Sequence, residues 1–312
     1  MEVSPLPLAS KIVSANELIP LKHRNVSLYL KREDLIHPHV PGNKWRKLKY
    51  NLLEAQKRGC QTLLTFGGAF SNHIAAVAAA GQLYKFSTIG IIRGEELSDK
   101  ISENPTLQFA SDNGMKFHFI SRQQYNHKES ADFLEALSKE FGNFYLIPEG
   151  GTNSLAIAGC EEILEEGDLA FNYICSAVGT GGTLTGLLNS AGTNQVVLGF
   201  PALKGEFAED EFTKFAKQGK SANLITDYHF GGYGKTTPNL IEFINSFYRS
   251  YNIKLDPIYT GKMFFGILDL IEQGYFKRGA SILAIHTGGI QGVDGMNAQL
   301  KKKKQTIINF YD

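Results

Sequence analysis

The sequence is poor in cysteine, in net charge and in long apolar runs, and each shortage closes off a class of protein. Its three cysteines, Cys60, Cys160 and Cys175, are odd in number and far apart. They form no C-x-x-C knuckle and no disulfide framework, and they fit a reducing cytoplasm. The eight histidines show no H-x-x-x-H spacing, so no metal site is expected. A net charge of +1 argues against a nucleic-acid or membrane-surface protein, which carries a strong basic bias. No apolar run is long enough for a transmembrane helix. The segment MEVSPLPLASKIVS has no basic n-region and no apolar core, so no signal peptide is expected.

What remains is an ordinary globular balance, 43% hydrophobic and 20% charged over 312 residues. Short β-rich runs alternate with helical stretches. Strands are predicted over 26–33, 62–66, 87–93, 116–120, 144–148, 172–178, 195–200 and 281–286. Helices are predicted over 45–57, 71–83, 104–113, 123–140, 154–166, 182–190, 206–218, 238–250 and 262–273. This alternation means an α/β fold with a parallel sheet covered on both faces. Ligands in such folds bind at the carboxyl ends of strands. LKKKKQ (300–305) reads as a solvated turn before a last strand, QTIINFY.

Three loops at strand ends carry the functional signal. In TFGGAFSNHIAAVAAAG (65–81) a strand ends at Phe66 and a Gly-Gly turn follows. Ser71, Asn72 and His73 then precede an alanine-rich helix that Ser71 or Asn72 can cap. In SAVGTGGTLTGLL (176–188) a strand runs into Gly179, Thr180, Gly181, Gly182 and Thr183 and then a helix. Backbone N–H groups and hydroxyls at a helix N-terminus make an anion cradle. Leu184 stands where a dinucleotide loop needs its third glycine, so the cradle suits one phosphate. In FGGYGKTTPN (230–239) the Gly-Lys-Thr tail imitates a Walker A loop, but His229 stands where that motif needs glycine. IHTGGIQG (285–292) adds the hydroxyl of Thr287 at another strand end.

PGNKWRKLKY (41–50) sets two lysines one turn apart. Asn43 reads as an N-cap, which puts Lys44 in the first turn, where the helix dipole disfavours a cation. Lys47 lies on the same face, so an anion between them is the natural complement. A lysine so placed has a depressed pKa and is a free-amine nucleophile. An amine, a one-phosphate cradle and polar groups at strand ends together suit pyridoxal phosphate.

The motifs GNKWRKL, GGAFSNH, EGGTNSLAIAG, VGTGGTLTG, FGGYGK, DPIYTGK and HTGG, in this order, resemble the 1-aminocyclopropane-1-carboxylate deaminase/D-cysteine desulfhydrase family. That family belongs to the tryptophan-synthase-β-like pyridoxal phosphate enzymes, and the match runs from KRED (31–34) to about residue 295. The resemblance implies a larger cofactor-binding domain from 1–48 and 153–312, a smaller inserted domain over 49–152, and a homodimer. It implies that Lys44 carries the Schiff base and that Lys47 contacts the phosphate with Gly179, Thr180, Gly181, Gly182 and Thr183. Asn72 would bind the phenolic oxygen. Ser71, with the neighbouring Asn72 and His73, would hold the substrate carboxylate, and Ser71 would also move protons. Tyr233 and Tyr259 match two active-site tyrosines.

Two positions bear on the reaction. Ring-opening members look as though they need Glu and Leu where this chain has Thr260 and Thr287, two residues that would face the pyridine nitrogen. The pattern is similar to the D-cysteine desulfhydrase branch: α,β-elimination of D-cysteine to pyruvate, hydrogen sulfide and ammonia, with Lys44 or a tyrosinate at Tyr259 as base. The alternatives are the ring-opening deaminase, another β-eliminase or racemase of D-amino acids, and a non-catalytic cofactor-binding protein. The chain departs from the family at Phe70, Ala75, Ala76 and Trp45. Phe70 and Trp45 are expected to narrow the substrate pocket.

Overall fold

All eight expected strands form, within two residues of their expected ends, in a computed structural model that describes residues 7–21, 25–204 and 214–311. They lie in two sheets, together with two short edge strands, β1 (Asn16–Ile19) and β9 (Asn223–Leu224). The first sheet combines these with β2 (Ser27–Lys31), β7 (Tyr173–Val178), β8 (Val196–Pro201) and β10 (Ser281–Ile285). Its order is β1-β2-β10-β7-β8-β9, antiparallel between β1 and β2 and parallel elsewhere. The second sheet is all parallel, in the order β5 (Met115–Ile120), β4 (Ser87–Arg93), β3 (Thr62–Gly67), β6 (Tyr145–Ile147).

The central strands YICSAV and TLLTFG are apolar on both faces because helices cover both. On the first sheet, Leu28, Leu30, Phe200 and Ile282 pack with α8 (Pro238–Tyr251), α9 (Thr260–Glu272) and α10 (Gly292–Lys302). Its other face, with Ile174, Leu283 and Ile285, meets α6 (Ser154–Glu161) and α7 (Gly182–Ser190). On the second sheet, Leu63 and Ile92 pack with α1 (Asn43–Lys57), α2 (Asn72–Tyr84) and α3 (Pro105–Asp112). Leu64, Phe66 and Ile91 of its other face meet α5 (Ala131–Phe141).

Helix α1 stands between the sheets. A Cβ on Gly159 of α6 would lie 1.9 Å from the Arg46 carbonyl oxygen, so only glycine lets α6 approach α1 this closely. The buried Arg46 guanidinium pairs at 2.8 Å with the buried Glu33 carboxylate, which ties α1 to the segment after β2.

Several expectations need correction. The stretch 123–140 breaks into α4 (Arg122–Tyr125) and α5, because Ser121 caps one helix and Ser130 starts the other. The stretch 154–166 stops at Glu161. Among the described residues QTIINFY pairs with no strand. The amides of Asn245 and Asn297 bond the backbone of Ile307, Ile308 and Asn309 instead, at 2.8–3.0 Å. The lysine run begins inside α10, which the periodicity missed, and Lys301 to Lys304 are exposed as expected. The helix expected over 206–218 lies mostly outside the described residues, and 214–218 form turns.

Candidate active site

The carboxyl ends of both sheets open onto one cavity of about 400 Å³. Lys44 and Lys47 enter it from the first turn of α1. That helix starts at a glycine for a steric reason: a Cβ on Gly42 would sit 2.3 Å from the Thr287 carbonyl oxygen. The close approach sets the lysines beside the end of β10. Gly42, not Asn43, occupies the cap position. Asn43 is already helical, and its side-chain amide donates to the Thr183 hydroxyl at 2.9 Å.

The Lys47 amine donates to the Gly150 carbonyl at 3.0 Å, the Thr152 hydroxyl at 3.1 Å and the Thr180 hydroxyl at 3.3 Å. The Lys44 amine has one long bond, 3.4 Å to the same Gly150 carbonyl. Burial first, and then the neighbouring Lys47, hold the Lys44 amine well below its ordinary pKa. Burial also lowers that of Lys47.

Across from the lysines, β7 ends in the turn Gly179–Gly181, and α7 begins. Gly181 caps α7 in the left-handed region, φ +79°, with no side chain to cover the first-turn N–H groups. Gly179, Thr180, Gly181 and Thr183 line the cavity. Gly182 lies one step back, where a Cβ would meet the Thr152 hydroxyl at 2.9 Å and the Lys47 Cε at 3.3 Å.

The turn after β3 brings Phe70, Ser71, Asn72 and His73 to the same cavity. Ser71 caps α2 by accepting from the backbone N–H of His73 and Ile74, so its own O–H proton stays free to donate. His73 is buried, and its Nε2 lies 2.9 Å from the Thr65 hydroxyl. Burial, with the charges of Lys44 and Lys47, lowers the His73 pKa well below the usual imidazole value and keeps the ring neutral.

Tyr233 and Tyr259 form the opposite wall, with ring centroids 6.1 Å apart and their hydroxyls hydrogen-bonded. Burial, and then the neighbouring Tyr233, push Tyr259 well above the ordinary tyrosine value. Its hydroxyl therefore stays protonated at neutral pH, against the expectation of a tyrosinate base.

Besides Gly182, two expected site residues do not reach the cavity. Trp45 is buried in the core of the second sheet, beside Leu48 and Leu52 and 6.0 Å from the Tyr84 ring. On a helix, residue 45 points about 100° away from residue 44, so the face that offers lysines to the cavity cannot also offer the tryptophan. Trp45 does not narrow the pocket. Thr260 is also fully buried, and its hydroxyl bonds the Asp256 carboxylate at 2.9 Å. Asp256 further accepts from the N–H groups of Ile258, Tyr259 and Thr260, which pins the start of α9. Of the two threonines expected at the ring nitrogen, only Thr287 borders the cavity.

Sequence reasoning missed Gly150, Glu149 and Arg93 on the cavity wall, and Thr152 beside Lys47. The EGGTN motif was the available signal for three of them. Nothing in the sequence marked Arg93 at the end of β4.

These residues fit pyridoxal phosphate. The poorly satisfied, depressed amine of Lys44 matches its aldehyde. The glycine turn, the open α7 N-terminus and the Lys47 cation match one phosphate. No group of three or more potential metal ligands exists among the described residues.

A family model described as "Pyridoxal-phosphate dependent enzyme" matches residues 3–288. A Pyrococcus abyssi protein named putative 1-aminocyclopropane-1-carboxylate deaminase is 33% identical over 294 residues, covering 86% of each chain. The Arabidopsis thaliana mitochondrial protein named bifunctional D-cysteine desulfhydrase/1-aminocyclopropane-1-carboxylate deaminase is 30% identical, over 88% of this chain and 75% of its own. A crystal structure titled as an ACC deaminase homologue superposes with a TM-score of 0.81 at 28% identity, over 93% of this chain and 94% of the other.

Proposed function

Since the chain belongs to the pyridoxal-phosphate dependent enzyme family, we propose that it is a lyase that eliminates the β-substituent of a D-amino acid, as a D-cysteine desulfhydrase does. One observation carries the choice of branch: among the described residues, the cavity wall at the ends of β7 and β10 offers the Thr287 hydroxyl and no carboxylate. Asp256, beside Gly289 in that region, is taken up by three backbone N–H groups and by Thr260. A neutral partner leaves a pyridine nitrogen less protonated than a carboxylate would, which suits loss of a good β-leaving group better than ring opening. The alternative is the ring-opening deaminase that the names of relatives suggest.

When bound, the cofactor supplies a carbonyl carbon that takes up an amine and a ring that stores an electron pair. Lys44 would hold it covalently, and Lys47, Thr180, Thr152 and the Gly179–Thr183 turn would hold its phosphate. The Ser71 hydroxyl, with its proton free, would donate to the substrate carboxylate together with the N–H groups of its turn. Asn72 would donate to the phenolic oxygen. Its surroundings hold the Lys44 amine well below its ordinary pKa, which favours the free amine that can accept the α-proton. Tyr259 keeps its proton and acts as a donor and a wall. Both tyrosines and Phe70 limit water over the reacting carbon.

The reading also carries the division into 1–48 with 153–312 and 49–152, whose first boundary falls inside α1. It carries the homodimer and a cytoplasmic site as well, which sedimentation and fractionation would check. The test of function is product analysis of the purified holoenzyme. Pyruvate and sulfide from D-cysteine but not L-cysteine would support the reading. 2-Oxobutanoate from 1-aminocyclopropane-1-carboxylate, with no sulfide from D-cysteine, would transfer the chain to the deaminase branch.

A further inference from the structure

We propose that Arg93 selects a substrate whose side chain ends in an anion, a carboxylate or similar acid beyond the β-carbon. The inference rests on the reading above, in which the Ser71 turn takes the α-carboxylate, and it names the substrate class of that same site.

Arg93 is the last residue of β4, and its side chain is exposed at the cavity wall. The guanidinium carbon lies 5.5 Å from the centre of the buried Tyr125 ring, a cation–π contact that holds the fork in place without using its N–H donors. One terminal nitrogen lies 3.7 Å from where a Gly68 Cβ would sit. Gly68 opens the turn that ends at Ser71, since its carbonyl accepts from the Ser71 N–H at 3.0 Å. The guanidinium is therefore placed beside the turn, within reach of the far end of an amino acid seated on it.

Among the described residues no carboxylate pairs with Arg93. Glu149 shares the cavity wall, but Lys128 engages it at 3.3 Å. Lys128 thus offsets the charge of Glu149 on that wall. Deeper in, the cofactor phosphate would neutralise Lys47, and Lys44 would be spent in attachment. Among the described residues that line the cavity, the cation left to meet a ligand is Arg93, and a planar fork of donors suits a carboxylate held by two parallel bonds. D-Cysteine, with a short neutral side chain, would leave it facing water.

The probes are two isosteric pairs. Binding of D-glutamate and D-glutamine to the holoenzyme is measured by calorimetry. Turnover of S-carboxymethyl-D-cysteine and S-carbamoylmethyl-D-cysteine is followed by pyruvate release. In the first turnover reaction the α-proton and the Cβ–S bond are lost, thioglycolate leaves, and one water yields pyruvate and ammonia. No oxidant or reductant is needed.

Wild type should favour the anionic member of each pair by roughly tenfold or more. Arg93→Gln should bring both ratios close to one, and Arg93→Lys should keep part of the preference. A wild-type ratio near one, or a ratio unchanged in Arg93→Gln, overturns the proposal. So does an equal loss on both members, which would make Arg93 an α-carboxylate or structural residue. Binding preference without pyruvate from any thioether would leave the anion class standing and sink the elimination reading. Sulfide from D-cysteine with no preference in either pair would do the reverse.

Discussion

Lys44 and Lys47 reach for the same acceptor, the carbonyl oxygen of Gly150, at 3.4 and 3.0 Å. Two amines one helical turn apart cannot both stay charged at low cost when they are buried and share one neutral acceptor. The loss falls on Lys44, because Lys47 has two hydroxyls in addition. The fold thereby favours the free amine more at Lys44 than at Lys47, the asymmetry that a nucleophile and a phosphate anchor require.

This pair has a measurable stability cost without cofactor. The folded pKa of Lys44 lies below its unfolded value, so between the two the unfolded chain binds more protons. Unfolding free energy must then rise with pH across that window, up to the ordinary 10.5. Lys44→Met should abolish turnover while making the cofactor-free protein more stable at pH 7, by on the order of 1 kcal/mol or more, with a flatter pH dependence. Urea melts at several pH values, without cofactor, check both. A less stable Lys44→Met protein with an unchanged slope would mean that Lys44 is charged and solvated.

Tyr259 bears on the base. Its hydroxyl stays protonated, so the acidic limb of the kcat profile should belong to Lys44. Tyr259→Phe should lower kcat by roughly 10–100-fold through loss of a positioned donor, yet leave the midpoint of that limb in place. A limb that disappears or moves by more than about one pH unit would reassign the base to the tyrosine.

Much of this site was legible because its chemistry sits in short contiguous loops. Gly179 to Thr183 and Phe70 to His73 each follow a strand and open a helix, so their place at a sheet's carboxyl end followed from alternation alone. What sequence spacing could not convey is direction. Trp45 adjoins the nucleophilic lysine in the chain, but the helical twist turns it into the core. Thr260 sits beside Tyr259, but Asp256, four residues earlier, captures its hydroxyl. Arg93 follows a run of five buried residues in β4, and the pairing of β4 beside β3 brings it to the cavity. The final segment looked like a strand by composition, and the amides of Asn245 and Asn297 replace the partner that it lacks.

Lys262 links the two tyrosine loops. From α9 its amine donates to the carbonyls of His229 and Gly232 at 2.8 Å each, just before Tyr233. Burial lowers its pKa to about 8. Lys262→Met should release the Tyr233 loop, raising KM more than it lowers kcat, with a loss in kcat/KM of roughly tenfold. The sign of its pH effect is fixed. Between about 8 and 10.5 the unfolded chain holds the extra proton, so the stability of wild type relative to Lys262→Met should increase with pH. Melts at pH 7.5 and 10 decide it, and a gap that narrows with pH would contradict this environment for the amine.

Trp45 tests whether the helical twist was interpreted correctly. Its ring is 1% exposed and packs among Leu48, Leu52 and Ala55, and its indole N–H has no hydrogen-bond partner. Trp45→Phe removes that unsatisfied donor and leaves a void where the larger ring was, two effects that oppose each other. The net should be a loss of about 1–3 kcal/mol, since the cavity term in a packed core outweighs one indole N–H. Because the ring faces away from Lys44, kcat/KM should stay within about twofold for both D-cysteine and bulkier thioethers, and their ratio should not move. Denaturant melts and paired kinetics on the two substrates separate the outcomes. A variant that gains activity on the bulkier substrate would return Trp45 to the pocket wall and place the α1 face differently.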